Sequence, residues 1–483
     1  VMRRFKIKNK LAGLLVLTPL LFSTVSCKKD FLELSPELSI PSEFVFSSAD
    51  RIESQVVGIY SSIKNGQFYG GRYLIYNDIR SEEFVNERTN NVTGYSTYQF
   101  SNDETDSYVS DFWVRGYLTI NRINIFLTDI EPVGTDILDA NKKTQLIAEV
   151  KFIRALTYYS LVQLFAKPYA ADNGASRGIP LRLLAERNSE NNDLAASPVK
   201  DIYAQILKDL NEAEAAVPAT YASQDDQSTR AHKNTVIAFK TRVLLAMKDY
   251  AKVITEANKI VSATAPFKAS SGVPHQLAPA ITDVFSNFKI NERILSFPFE
   301  ANNAPGTQNQ LGYYYNEGNI EYSLAEGGIF SNPAWPTTDA RKKDLTGKSS
   351  KGDMNILTKF SAASPYLDWI PVIRYSEVLL NLAEAEAEAG SQTRALALLK
   401  AVRNRSDAAY TFPTFANKAA LVDAILLERR IEFLGEGLRV PDLQRRNMPI
   451  NSVGAGRLIQ PTDERYIFPI PLGETITNPG VSK

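Results

Sequence analysis

Residues 374–405 read RYSEVLLNLAEAEAEAGSQTRALALLKAVRNR. Apolar side chains recur every three or four residues on both sides of Gly390, with no proline between. The spacing predicts two helices joined by a turn at the glycine. Alanine fills much of the first helix, and small residues let a neighbouring helix approach closely, as in tetratricopeptide-type pairs. NTVIAFKTRVLLAMKDYAKVITEANKIV (234–261) repeats the form, with its turn at Lys248–Asp249. SPVKDIYAQILKDLNEAEAAVP (197–218) predicts one more helix, with Ser197 as N-cap and Pro198 at the first helical position. These copies are irregularly spaced, so they predict a helical scaffold rather than an uninterrupted solenoid.

Outward from these pairs, RIESQVVGIYSSIK (51–64), FWVRGYLTINRINIFLTDI (112–130) and NKKTQLIAEVKFIRALTYYSLVQLF (141–165) carry helical periods. Residues 264–370 differ: they are rich in Pro, Gly, Asn, Ser and aromatics, with ERILSFPFE (292–300) as a strand and the remainder as ordered loops. The proline-rich end, from Arg457, predicts extended chain wrapping the surface. The fold class is therefore mainly α, with a loop-rich C-terminal part containing little β. The divisions fall at 1–26, 27–48, 49–263 and 264–483, the last two packed as one globular unit.

Fifty-four basic residues balance 54 acidic ones in the 483-residue chain. That balance argues against nucleic-acid binding, which rests on a basic excess. Arg3, Arg4, Lys6, Lys8 and Lys10 precede the apolar run LAGLLVLTPLLF (11–22), and STVSC follows, ending at Cys27, the one cysteine. This is a signal peptide, residues 1–26, whose end is similar to a bacterial lipoprotein cleavage site; Thr24 stands where leucine is commonest. Cys27 becomes the lipidated N-terminus of a tether reaching to residue 48. The alternative is an ordinary signal peptide with a stray cysteine. An anchor of two or more acyl chains holds a protein stably on a membrane without spanning it.

Several stretches in order, FWVRGYLTINRIN, EVKFIRALTYYSLVQLFAKPY, DARKKDL, PVIRYSEVLLNLAEAEAEAG, LLERRIEFLGEGLRVPDLQRR and FPIPLGETITNPG, make the mature chain resemble the SusD/RagB family of outer-membrane lipoproteins. Val440 and Pro441 depart from positions often aromatic there. The resemblance implies a helical body and a non-enzymatic role: binding an oligosaccharide, or a peptide as in the RagB branch. It also implies a SusC-like TonB-dependent transporter as partner and an outer-membrane location facing the exterior.

Among the residues themselves, LERRIEFLGEGLRVPDLQRR (427–446) is the densest in charge. Glu428, Glu432 and Glu436 share a helical face, the arrangement a carboxylate pair of a glycosidase would need. The interleaved arginines instead predict groups that satisfy one another and hold the fold. The binding candidates lie in loops, where function concentrates. Tyr313, Tyr314 and Tyr315 with Asn316 could stack on the C–H faces of a sugar and bond its hydroxyls. Trp335, between two prolines, is a second platform. Tyr73, Tyr76, Asp78 and Arg80 in GGRYLIYNDIRSEEF (70–84) form a third group, placed there by the family resemblance. Loop and core packing are the competing readings for all of these. His232 and His275 are isolated in sequence, and no metal spacing or cofactor motif is found. The rivals to a binding protein are a secreted glycan-degrading enzyme and a tetratricopeptide scaffold without a ligand.

Overall fold

The computed structural model describes residues 42–317 and 319–482. The signal peptide and the lipidation reading at Cys27 lie outside them. Ser42–Val45, one helical turn, belongs to a separate unit, Val1–Val45, and the other described elements belong to the unit Phe46–Lys483.

Its first helix, α1 (Ala49–Ile63), buries Ile52, Val56, Ile59, Tyr60 and Ile63, the stripe the periodicity predicts. After α2 (Arg72–Ile79) and the single turn α3 (Tyr95–Tyr98) come two long helices, α4 (Ser107–Asp129) and α5 (Ala140–Phe165). Each begins at an aspartate whose carboxylate accepts the free amides of the first turn: Asp106 from Tyr108, Asp139 from Asn141 and Lys142. Two further helices, α6 (Val199–Ala216) and α7 (Lys233–Ala246), lead to α8 (Tyr250–Ala257) across the predicted turn, where Lys248 adopts φ 59° and Asp249 caps α8. α6 starts later than predicted. Residues 196–198 instead pair antiparallel with Arg177–Pro180, so Pro198 takes the N-cap place and Ser197 lies outside the helix.

The opening stretch forms α9 (Tyr375–Ala389) and α10 (Gln392–Ser406), followed by α11 (Lys418–Glu432) and α12 (Arg439–Arg445). α5 packs on α6, α6 on α7, α7 on α8, α8 on α9, and α9 on both α10 and α11. The helix pairs thus form one stack, although a hundred residues of other texture separate α8 from α9. A single large apolar core runs from Ile52 to Phe468.

The intervening segment is strapped to this stack by short sheets. β1 (Phe84–Asn86) pairs with β3 (Tyr322–Leu324), and β2 (Arg293–Phe297) with β4 (Ile370–Arg374), both antiparallel. β2 and β4 are buried throughout, so a strand predicted from alternation is covered on both faces. Two loop expectations are corrected. Residues 311–315 form a short helix, and Leu472–Thr477 forms another behind Pro471, because proline suits a helix start.

The charge-rich stretch 427–446 is structural, as read, but its partners are mostly remote. Glu428 binds Arg341 and Arg403 at 2.6 and 2.5 Å. Glu432 binds Arg341, Arg374 and Arg405 at 2.8, 3.0 and 2.6 Å, while Glu436 binds Lys359 and Arg374, each at 2.8 Å. Only Asp442 pairs within the stretch, with Arg429 and Arg445. Burial works to raise the Glu432 pKa, yet Arg405, Arg374 and Arg341 hold it well below the usual carboxylate range. The surrounding guanidinium groups favour the ionised carboxylate in the core.

Candidate functional site

A polar cleft of about 880 Å³ opens beside the N-terminus of α4. The chain makes room for it with two glycines. At Gly66 a Cβ would lie 1.9 Å from the Pro305 carbonyl oxygen, and at Gly71 it would lie 1.9 Å from that of Asn309. Residues 305–309 therefore rest directly on the 66–71 turn, which places one wall of the cleft.

Arg72, the first residue of α2, locks this wall to the floor. Its Nε donates to Asn309 Oδ1 at 3.0 Å, and its Nη1 to the Tyr108 carbonyl at 3.2 Å and to Asp111 Oδ2 at 3.1 Å. The guanidinium carbon lies 4.1 Å from the Tyr108 ring centroid. Gln67 Nε2 donates to the same Asp111 oxygen at 2.6 Å. Behind the floor, the Tyr108 and Tyr314 hydroxyls meet at 2.9 Å, and burial pushes the Tyr108 pKa up to about 12.

The opposite wall is residues 89–106. Asn90 caps the 3₁₀ turn Asn91–Thr93, Val92 is exposed, and Tyr95 is half-buried with its hydroxyl accepting from Gln99 Nε2 at 2.8 Å. Asp106, Ser96 and Asn102 tie the wall together: both side chains donate to Asp106 Oδ2, at 2.5 and 2.8 Å. The arrangement is a water-accessible trough of hydroxyls, amides and carboxylates with a tyrosine ring at its lip.

None of the sequence-selected residues lines this trough, and of them Tyr314 and Tyr76 bond to Tyr108 in its floor. Tyr314 and Tyr315 are 0% exposed, which corrects the view of an open triple-tyrosine loop: in the short helix their rings turn into the core. Tyr315 stacks on Phe84 at 4.7 Å and donates to Asp78 Oδ2 at 3.3 Å. Tyr313 alone of the three is half-buried, edge-on to Tyr366 at 6.0 Å. Asn316 is half-buried and donates to the Phe360 carbonyl at 2.9 Å. Trp335 is 1% exposed, with Lys342 over its ring, so it offers no stacking face.

The third group is likewise buried, which corrects its placement on an open ligand face; Arg80 alone of the four lines a second cavity, of about 700 Å³. Tyr73 bonds Gln163, and Tyr76 bonds the Tyr108 carbonyl under the cleft floor. Asp78 accepts the Gly437 amide at 3.1 Å, and burial raises its pKa well above the carboxylate range. Arg80 lies between the Phe100 and Phe468 rings, 4.7 and 4.8 Å away, and donates to the Tyr466 carbonyl at 2.8 Å. With no carboxylate beside it, burial lowers its pKa to about 10.

Arg72, Tyr95, Gln99 and Asp111 were missed by sequence reasoning. The signal available was RTNNVTGYSTYQFSNDETDS (88–107), aperiodic and dense in Asn, Ser and Thr. The two histidines, apart in sequence, stack at 5.3 Å with planes 21° apart. Among the described residues no group of three or more His, Cys, Asp or Glu side chains is placed to hold a metal.

Residues 30–245 match a family model described as starch-binding associating with outer membrane, and residues 355–483 match one described as SusD family. A solved SusD superfamily protein from Bacteroides fragilis is 34% identical, with a TM-score of 0.82 over 91% of this chain and all of that one. SusD-like protein P25 of Formosa agariphila is 25% identical over 97% of both chains. A structure described as a laminarin binding SusD-like protein shares the fold, with a TM-score of 0.69 at 20% identity over 90% of this chain and 98% of that one.

Proposed function

The chain belongs to the SusD family, and from that membership we propose a cell-surface lipoprotein that captures glycan oligomers and delivers them to a SusC-like TonB-dependent outer-membrane transporter. The observation that carries the reading is the open polar trough with Tyr95 at its lip. Hydroxyls and amides supply the directional contacts a polyol needs, and the partly buried Tyr95, stacked on Tyr98, supplies an aromatic side chain in the lining for its C–H bonds. The relative described as laminarin binding supports glycan over peptide.

Binding without turnover fits the carboxylates in the cleft. A glycosidase needs one carboxyl group with a raised pKa to protonate the leaving oxygen. Asp103 shifts the other way, held low by hydrogen bonds from the Thr105 hydroxyl and amide. Asp106 is engaged by three donors and Asp111 by two. The anchor rests on the Cys27 reading, and among the described residues no helix is long and apolar enough to cross a membrane.

The test is a panel of oligosaccharides and peptides, read by calorimetry and by release of reducing ends. Glycan binding without reducing-end release, weakened by Tyr95→Ala, is the expected result. Binding of peptides alone replaces the ligand with a peptide; release of reducing ends replaces the binding protein with an enzyme.

A further inference from the structure

The charge and hydrogen-bond inventory of the cleft carries its selectivity one step beyond glycan capture. We infer that the cleft takes uncharged, hydroxyl-rich glycans and rejects acidic ones such as uronates and sulfated chains; this rests on the cleft being the glycan site. Four charged residues line it, Arg72 against Asp103, Asp106 and Asp111. Arg72 is already engaged: its side chain is 7% exposed, Asp111 pairs with it at 3.1 Å, its Nε and Nη1 donate to Asn309, to the Tyr108 carbonyl and to Asp111, and the Tyr76 hydroxyl lies beside it. Two nearby arginines keep their charge but are directed away from the cleft lining. Arg88 is turned to the Asn319 carbonyl and Arg115 to Gln67 Oε1, and neither lines the cleft.

The free charged groups are acceptors, while hydroxyls such as that of Tyr95, which accepts from Gln99, keep a proton to donate. Asp111 takes both its bonds on Oδ2, while Asp103 takes the Thr105 hydroxyl and amide on Oδ1 and has the Asp106 amide turned to its carboxylate as well, so among the described residues Asp111 Oδ1 is the carboxylate oxygen left without a protein donor. The amide donors are mostly occupied: Gln67 by Asp111, Gln99 by Tyr95, and Asn309 by the Pro305 and Thr307 carbonyls. A ligand therefore gains most by bringing donors to the carboxylates. Sugar hydroxyls are such donors, and two adjacent hydroxyls can share one carboxylate in charge-assisted bonds. A ligand carboxylate or sulfate brings only acceptors and meets an excess of negative charge.

Calorimetry on the full chain tests this with neutral gluco-, xylo- and manno-oligosaccharides against oligogalacturonate and a sulfated galactan oligosaccharide. The expected result is binding confined to neutral ligands, changing by no more than about twofold on raising salt, because no ligand charge is screened. Asp103→Asn with Asp111→Asn is expected to weaken neutral binding by about tenfold or more, the scale of a hydrogen bond to a charged group. The same variant is expected to raise binding of the acidic oligosaccharides. Asp103→Asn alone, at an exposed position, keeps the test open if the double variant fails to fold, and is expected to shift both in the same directions. Equal or tighter binding of the acidic ligands by the natural chain overturns the selectivity and leaves glycan capture standing. Binding of none of the glycans, with peptides bound instead, overturns both. A variant with unchanged preference also overturns the assignment of these carboxylates.

Discussion

Replacing His275 with Gln is expected to remove a measurable part of the acid sensitivity of this fold. His275 is 1% exposed, stacked between His232 and Tyr375, and its Nδ1 lies 2.8 Å from the Asn291 carbonyl. That carbonyl can only accept, so Nδ1 carries the proton of a neutral ring, while Nε2 has no partner. Burial lowers the His275 pKa to about 4. The unfolded chain, with an ordinary pKa near 6.5, takes up its proton first. The folded state thus keeps its full stability above about pH 6.5 and loses it as the pH falls toward 4. A shift of this size corresponds to about 3 kcal/mol. For the roughly 440 residues of the unit Phe46–Lys483, at about 2 cal/mol/K per residue, that is a fall of about 3–4 °C in Tm. Carboxylates titrate in the same range, so the quantity to measure is the difference between natural and His275→Gln chains. Scanning calorimetry at pH 7.5, 5.5 and 4.5 should show the Tm of the natural chain falling relative to that of the variant as the pH falls. Parallel curves would refute the reasoning, since they would mean the ring is already solvated or partnered in the folded state.

Three other perturbations separate structural from binding roles. Glu432→Gln leaves Arg341, Arg374 and Arg405 short of a counter-charge in the core and should cost about 3–5 kcal/mol in denaturant unfolding; a loss below about 1 kcal/mol would show the network to be solvated. Tyr315→Ala should cost about 3–5 kcal/mol, the range for emptying a buried aromatic site. Tyr313→Ala, at a half-buried position, should cost no more than about 1 kcal/mol, and equal losses at both would contradict their different burial. Cys27→Ala should move the protein from the membrane fraction to the soluble one on fractionation; retention in membranes would count against lipidation.

Helix identity was largely legible because it is written locally. In α1 the spacing of Ile52, Val56, Ile59 and Ile63 names the buried face without knowledge of what covers it. The same holds for the turn at Lys248–Asp249, where an aspartate supplies the cap. The site was less legible. Tyr95 and Asp111 belong to one cleft only because Gly66 and Gly71 admit the 305–309 segment, more than 230 residues away, onto their turn. Nothing in the spacing around residue 95 encodes that neighbour.

The sequence by itself determined a helical scaffold of paired helices, the family resemblance, and a charge-dense stretch whose groups are satisfied by ion pairs. Tertiary structure decided which aromatic rings meet solvent and which charges meet each other. Tyr314 and Tyr313 are adjacent in sequence, yet one bonds Tyr108 across 206 residues while the other keeps part of its surface in water. Glu432 sits among arginines yet pairs with Arg341, Arg374 and Arg405 from elsewhere in the chain. Periodicity is a property of one segment, whereas exposure and ion pairing depend on every segment that folds against it.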